Sequence, residues 1–202
     1  PGLLHERHGL DAAGQGRALI EELRCTWCHS GPGKRKLGPD LSRVGTRVEA
    51  SYLKRFLLDP HKADPGTQMP DILGMLPEDE QDATAEVLTY YLKSLSEEKF
   101  SRAKVDGALV GAGKKLFEKV GCITCHEPGK GVGLKHVPAK YGLDSLSAFL
   151  FQPRHARPSG RMPDMNLTRD EARSIAAYLL GAEELKVTEL RPNPAKVQAG
   201  KL

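Results

Sequence analysis

The chain has few large apolar side chains and no long apolar run. Aromatic residues make up 5% of its 202 residues. No run approaches the roughly 18 apolar residues that a membrane-spanning helix needs, and the strong alternation typical of strands is absent. A domain of about 100 residues with this composition has a thin core. Such a domain would be completed by an additional apolar group.

Cysteine is also scarce, and all four cysteines lie in two Cys-x-x-Cys-His sequences. The motif residues are Cys25, Cys28 and His29 in the first copy and Cys122, Cys125 and His126 in the second. Two cysteines at this spacing form thioethers to the vinyl groups of a haem, and the histidine that follows is an axial ligand of the iron. The sequence therefore predicts two covalently attached haem c groups, whose porphyrins supply the missing apolar surface.

Three other interpretations of the cysteines fit less well. A zinc ribbon places its two pairs about 15–20 residues apart, whereas Cys28 and Cys122 are much farther apart. A thioredoxin-type redox site requires a βαβ pattern, which the sequence lacks. Two disulfides would leave both motif histidines without a role.

Charge is unevenly distributed along the chain. The formal net charge is +4; residues 1–100 hold 13 Lys and Arg against 16 Asp and Glu, and residues 101–202 hold 17 against 10. Two haems bring about four propionate charges, so the loaded protein is close to neutral, and we expect no nucleic-acid partner. The opposite signs favour docking of the halves on each other or on different partners. An unevenly charged solvated surface is the other interpretation.

The two halves of the sequence align beyond the motifs. Glycine and apolar positions before the first motif recur 97 residues later, and positions after it recur 93 residues later, so the first copy has four extra residues in the loop 31–37. Helical spacing of apolar residues predicts closing helices at 79–95 and 169–180. Thr168 and Glu171 predict a capping box, and Pro77 suits the first turn of the earlier helix.

This repeat predicts an all-α fold with two helical domains in tandem. We place the first domain at 8–97, a polar linker at 98–107, the second domain at 108–186 and a polar tail at 187–202. The chain begins with proline and without a signal-peptide pattern, so we expect a processed form or an excised piece. Residues 195–202 resemble residues 108–115, which indicates either a further domain beginning there in a longer chain or an ordinary tail.

Methionines are the candidates for the second axial ligand. Met69 and Met162 occupy matching positions, and each precedes a proline. A residue before proline is driven towards extended backbone, so both side chains lie on loops that can approach a haem. We predict both as iron ligands. Met165 is a competitor of Met162, and gap-filling in a core suits Met75 and Met165 better.

With these motifs the chain resembles the class I cytochromes c, and its tandem form resembles the bacterial dihaem cytochromes of the c4 type. The resemblance implies that an N-terminal helix (Gly16; Gly113) crosses a C-terminal one (Tyr91; Tyr178) in each half. It also implies that a backbone carbonyl after the motif holds the histidine N–H. The first copy has the family's Gly-Pro-x-Leu stretch with Pro39, whereas the second has Val132 in its place.

Several charged residues are candidates for binding the haem propionates. These are Arg43, Arg47 and Lys140, for which a free surface charge is an equally good interpretation. His136 falls at the position that matches Arg43 and could also lie near a propionate. A solvated surface position is the better interpretation for the histidines outside the motifs, which are His5, His8, His61, His136 and His155.

These features predict an electron-transfer protein with two His/Met-ligated haems, a redox-protein donor and acceptor, and no small-molecule substrate. The alternative is a dihaem enzyme of the peroxidase type, which needs one iron with an open position and a nearby acid–base residue. A relay module feeding an enzyme domain of a longer parent chain is a third possibility. Covalent haem attachment in bacterial proteins of this resemblance implies a periplasmic or other extracytoplasmic location, with or without a membrane tether.

Overall fold

Helices form nearly all the regular structure of the chain. The computed structural model describes residues 9–29, 37–102, 104–182 and 187, and these ranges contain no β-strand. The helices of the first half are α1 (Ala12–Glu22), α2 (Val44–Arg47), α3 (Ala50–Leu58), α4 (Pro60–Ala63) and α5 (Glu78–Ser94). Those of the second half are α6 (Gly107–Lys119), α7 (Ile123–His126), α8 (Val137–Lys140), α9 (Leu143–Phe151), α10 (Pro153–Ala156) and α11 (Arg169–Leu180). The predicted all-α fold is confirmed for the described residues.

The order of helices repeats between the halves. Helices α2, α3 and α4 recur 93 residues later as α8, α9 and α10, each with the same length. A 3-10 turn at Cys25–Trp27 stands where the second half has α7. The offset is the one that the sequence alignment gives for this region. No helix in the described ranges is both long enough and apolar enough to cross a membrane.

Each half packs around its own core. Leu19, Leu88 and Leu92 belong to the first core, and Phe117, Leu146 and Ile175 to the second. The first and last helices of each half cross at a glycine, as the family resemblance implies. A Cβ on Gly16 would lie 2.2 Å from the Tyr91 Cβ, and one on Gly113 would lie 1.9 Å from the Ser174 carbonyl oxygen. Only glycine lets these backbones approach so closely.

The helix ends follow the sequence signals closely. Thr168 and Glu171 form the predicted capping box at the start of α11. Helix α5 begins at Glu78 and ends at Ser94, one residue earlier than predicted at both ends. Pro77 is its N-cap residue rather than a member of its first turn. Its fixed φ still suits the start of a helix.

The predicted linker at 98–107 is not polar throughout. Phe100 and Val105 are buried, each less than a tenth exposed. Phe100 carbons lie within 4 Å of the position that a Cβ on Gly142 would take. Asp106 and Gly107 are the N-cap and first residue of α6. The segment is therefore packed against the second half as well as connecting the two.

The two halves meet through backbone pairing and a buried ion cluster. Val48 and Tyr141 form an isolated antiparallel bridge, and the Glu49 N–H donates to the Lys140 carbonyl at 2.9 Å. The Asp64 carboxylate accepts from Lys140 Nζ at 2.7 Å and from Arg157 Nη2 at 3.0 Å. His136 Nε2 lies 3.7 Å from the other Asp64 oxygen. One carboxylate of the first half is thus enclosed by three basic side chains of the second.

The ion cluster controls the protonation of Asp64. Burial, the largest single influence, would raise the pKa of this carboxyl, but the charges of Lys140 and Arg157, the Lys140 hydrogen bond and His136 together hold the pKa below its ordinary value. A depressed pKa means that the charged form stabilises the fold. That contribution is complete above the unfolded-state pKa of about 3.9 and is lost as the pH falls through the folded-state pKa.

We therefore predict that Asp64→Asn destabilises the protein at neutral pH and less so in acid. The loss in free energy of unfolding should be about 3 kcal/mol near pH 7, because one partner of a buried ion pair is removed. The difference between wild type and variant should be constant near neutral pH and should shrink as the pH falls below about 4, the unfolded-state pKa. Urea unfolding at several pH values measures it, and a difference independent of pH would contradict the assignment.

We also predict opposite effects of alanine at two glycines of α6. Gly113→Ala should destabilise by about 1–3 kcal/mol, because its Cβ meets the Ser174 backbone. Gly111→Ala is the matched control: its Cβ meets nothing within 4 Å, so it should stabilise by about 0.5–1 kcal/mol through helix propensity. Urea unfolding compares the two variants. Equal effects would show that α6 and α11 do not cross at Gly113.

Candidate haem-binding sites

Each motif begins just after a residue with a left-handed backbone conformation, which follows the end of a helix. In the first half this residue is Arg24, two residues after the end of α1, with φ of 56°. The matching residue in the second half is Gly121, with φ of +87°. Glycine adopts this conformation freely, whereas Arg24 holds it at a cost of about 1 kcal/mol or more. A residue with a left-handed backbone conformation therefore separates the helix from the motif in both halves.

A single helical turn places the three motif side chains together. The His29 N–H donates to the Cys25 carbonyl at 2.9 Å, and the His126 N–H donates to the Cys122 carbonyl at 3.1 Å. Residues i, i+3 and i+4 of such a turn share one face. The two cysteines and the histidine therefore project to the same side, which is the arrangement that two thioethers and one axial ligand require.

The four cysteine thiols are available for bonding. None forms a disulfide. Burial raises the pKa of the Cys25 and Cys122 thiols, so both carry a proton at neutral pH. The described residues contain no group of three or more His, Cys, Asp or Glu side chains that could together hold a metal ion, so the two Cys pairs do not converge as in a zinc ribbon.

Each motif histidine is oriented by a backbone carbonyl. His29 Nδ1 donates to the Pro39 oxygen at 2.8 Å, and His126 Nδ1 donates to the Val132 oxygen at 3.0 Å. A carbonyl only accepts, so the proton is on Nδ1 and the Nε2 lone pair is left for iron. Burial, together with the Arg47 charge, lowers the pKa of His29 in spite of the Pro39 bond, which keeps this ring neutral.

Val132 therefore fills the role of Pro39 although it is not a proline. The bond needs only a carbonyl oxygen at the right place, and the loop supplies it with either residue. The carbonyl contacts implied by the family resemblance are present in both halves.

Glycines leave room for these loops beside the motifs. A Cβ on Gly38 would lie 2.6 Å from both Nδ1 and Cε1 of His29. A Cβ on Gly131 would lie 2.2 Å from the Cys125 carbonyl oxygen. Either contact would force the neighbouring atoms to move. Each loop can therefore pass this close to the motif only because the residue is glycine.

The predicted methionine ligands lie on loops, as the following prolines indicate. Met69 lies between α4 and the 3-10 turn Leu73–Met75, and Met162 lies between α10 and α11. Both are partly buried and pack against the core of their own half. Met165 also packs against the second core. Met75 is 88% exposed, so the expectation that it fills a gap in the core is wrong.

The candidate propionate residues differ in their surroundings. Arg43 is exposed. Arg47 Nη2 donates to the Asp40 carbonyl, and its Nε is buried without a hydrogen-bond partner. Lys140 is 5% exposed, and its ammonium donates to Asp64 of the first half. An unpaired buried donor such as the Arg47 Nε suits an anionic group that the described residues do not supply.

The histidines outside the motifs are mostly on the surface. His61 and His155 are exposed, on the short helices α4 and α10. His136 is only 17% exposed at its side chain and lies against Asp64, so the expectation that it is a solvated surface residue is wrong. His5, His8 and the tail resemblance at 195–202 lie outside the described residues.

No motif in the sequence predicts the ion cluster around Asp64. Asp64 and Arg157 occupy matching positions, 93 residues apart, and carry opposite charges. That opposition was the available signal, because a repeat that swaps charge at one matched position can pair its own halves.

We predict that alanine at Gly131 impairs the second site, whereas alanine at Gly133 does not. Gly131→Ala forces the Cys125 carbonyl to move, and should lower stability by about 1–3 kcal/mol and reduce haem attachment at Cys122 and Cys125. Gly133→Ala is the control, since its Cβ meets nothing within 4 Å. Mass analysis of the motif peptides measures attachment; equal attachment in both variants would contradict this account of the loop.

Comparison with known families agrees with this geometry for the second half of the chain. Residues 110–183 match the family model described as cytochrome c. No curated protein and no solved structure matches the chain significantly. The matched range contains the second motif, Met162 and helix α11. Residues 110–183 therefore resemble a cytochrome c domain; proteins of that family bind haem c covalently and use it for electron transfer.

Proposed function

We propose that the chain is a dihaem c-type cytochrome that carries electrons between redox proteins. Each half would hold one haem c, attached through its two motif cysteines, with His29 and Met69 as axial ligands in the first half and His126 and Met162 in the second. The repeated order of helices and the glycine crossing in both halves support a second cytochrome c unit at the N-terminal side of the matched domain.

One observation carries this proposal more than any other. The motif histidine of each half donates its Nδ1 proton to a loop carbonyl, at 2.8 Å in the first half and 3.0 Å in the second. This bond selects the tautomer with a free Nε2 and holds the ring in place. The same arrangement beside four unbridged cysteines is what two covalently held haems require.

The residues around the sites suit electron exchange rather than substrate chemistry. A bound haem supplies a one-electron couple at its iron. Methionine sulfur is a soft ligand that favours the reduced iron and raises the reduction potential. Met69 and Met162 pack against the core, which restricts their movement and limits water access.

Among the propionate candidates, Arg47 is favoured. Its buried Nε has no partner, and its charge contributes to lowering the pKa of His29, so it lies near the first motif. Arg43 is exposed and would bind a propionate only at the surface. Lys140 would have to share its ammonium between a propionate and Asp64. We therefore expect the two haems to differ in their electrostatic surroundings.

The competing proposal is a dihaem enzyme of the peroxidase type. It requires one iron without a strong sixth ligand, whereas both halves have a partly buried methionine on the matching loop. We therefore propose that the chain is not an enzyme itself, although it could relay electrons to an enzyme domain of a longer chain. We further propose a periplasmic or other extracytoplasmic location, with or without a membrane tether.

If Met69 and Met162 are iron ligands, replacing either one should alter the spectrum and the reduction potential of one haem. Met69→Ala and Met162→Ala should each remove the methionine–iron charge-transfer band of one haem. Each should also lower that haem's potential by on the order of 0.1 V, within the roughly 0.8 V range that axial ligands span. Absorption spectra and a redox titration of the loaded protein measure both.

Met75→Ala and Met165→Ala are the controls for these variants. Met75 is exposed and should change nothing. If the charge-transfer band is lost in Met165→Ala and kept in Met162→Ala, the ligand in the second half is Met165 and not Met162. If neither Met69→Ala nor Met162→Ala changes the spectra, the ligand assignment is wrong. A high-spin signal from one haem of the wild type, with peroxide turnover, would favour the enzyme.

A further inference from the structure

The Asp64 carboxylate is the meeting point of the two halves. Its Oδ2 accepts from Lys140 at 2.7 Å and from Arg157 at 3.0 Å, and its side chain is 9% exposed. The Arg157 Nη2 also donates to the Tyr141 hydroxyl at 2.9 Å. A buried carboxylate with two charge-assisted bonds is held in one place and orientation.

Aromatic rings enclose the other end of this ion pair. The Lys140 ammonium lies 5.1 Å from the ring centre of Tyr52, 5.7 Å from that of Phe56 and 5.1 Å from that of Tyr141. Tyr52 and Phe56 belong to α3 of the first half, whereas Lys140 belongs to α8 of the second. The Lys140 ammonium of the second half therefore packs against two aromatic rings of the first half. Removal of Asp64 would leave a buried charge uncompensated.

Two contacts across the interface join matching residues of the two halves. Val48 pairs with Tyr141, and Asp64 pairs with Arg157; both pairs join positions that are 93 residues apart and therefore match in the repeat. Contacts between equivalent positions are the mark of an isologous interface. In the second pair the equivalent positions carry opposite charges. Pairing of two first halves would bring two Asp64 together, and pairing of two second halves two Arg157, so the charges select the unlike pair.

We propose that Asp64 is a positioning residue for electron transfer within the chain. Its carboxylate, held by Lys140 and Arg157, fixes one orientation of the two haem sites relative to each other. This inference rests on the proposed dihaem function. Asp64 acts through the interface and not by contact with a haem, so its loss should change the exchange of electrons between the sites and the opening of the interface while leaving each site loaded.

A backbone hydrogen bond reports directly on this interface. The Glu49 N–H donates across it to the Lys140 carbonyl at 2.9 Å, whereas the nearby Leu53 N–H donates to Glu49 within the first half at 2.9 Å. Opening of the interface exposes the first amide to solvent and leaves the second protected. Hydrogen exchange of the two amides therefore separates opening from unfolding.

The test compares Asp64→Asn with wild type in the full-length protein carrying its haems. Loss of one partner of a buried ion pair should reduce the protection of the Glu49 amide by about 100-fold, while the Leu53 amide, which interface opening does not expose, stays more protected than the Glu49 amide. Electron exchange between the two haems in half-reduced protein should slow in parallel. Asp64→Glu keeps the carboxylate and should recover much of both effects.

Two further variants complete the design. Asp144→Asn is the matched control, because Asp144 forms an exposed ion pair with Arg173 within the second half, and neither readout should change. Arg157→Gln keeps the Asp64–Lys140 pair, so it provides a second test if Asp64→Asn does not fold. It should produce the same changes to a smaller extent.

The outcomes are distinguishable. Unchanged Glu49 protection and unchanged electron exchange in Asp64→Asn, with both haems attached, would overturn this inference and leave the proposed function intact. A wild type that carries one haem or none would overturn both. Loss of Glu49 protection with unaltered electron exchange would show that Asp64 is structural only and would also overturn the positioning role.

Discussion

The hydrogen bond from each motif histidine to a loop carbonyl is the constraint on which the rest of the structure depends. It fixes the ring tautomer and requires the loop after the motif to pass close to it. That approach explains the glycines at 38 and 131, where a side chain would collide with the motif. A carbonyl is common to all residues, so the same geometry survives the exchange of Pro39 for Val132.

The halves share this geometry but differ in the residues around it. The left-handed turn is made by Arg24 in one half and by Gly121 in the other. Arg47 stays in its own half, where it donates to the Asp40 carbonyl, whereas the matching Lys140 pairs across the interface. Such differences give two similar sites unequal electrostatic surroundings. If each site holds a haem, as we propose, unequal sites would give an electron a preferred direction between them.

Much of the fold could be predicted from the sequence because its signals are local. Helical spacing and capping residues located α5 and α11 to within one residue. The glycine crossings and the carbonyl contacts came from the family resemblance. The Cys-x-x-Cys-His spacing located both candidate sites, since a single turn of helix is enough to bring these side chains together.

The residues that form the interface could not be predicted, because they are far apart in the sequence. His136 was expected on the surface and Lys140 beside a propionate, yet both lie against Asp64. Phe100 and Val105 were assigned to a polar linker because their neighbours are charged, and they are buried. In each case the burial comes from packing against another segment, which local composition does not reveal.

The number of haems per chain tests the central claim most directly. Mass spectrometry of protein matured by a system competent for haem attachment counts them, and digestion assigns each to a motif. We predict a mass of one polypeptide plus two haems, with one haem on the peptide of Cys25 and Cys28 and one on the peptide of Cys122 and Cys125. A mass with a single haem, or with none, would contradict it.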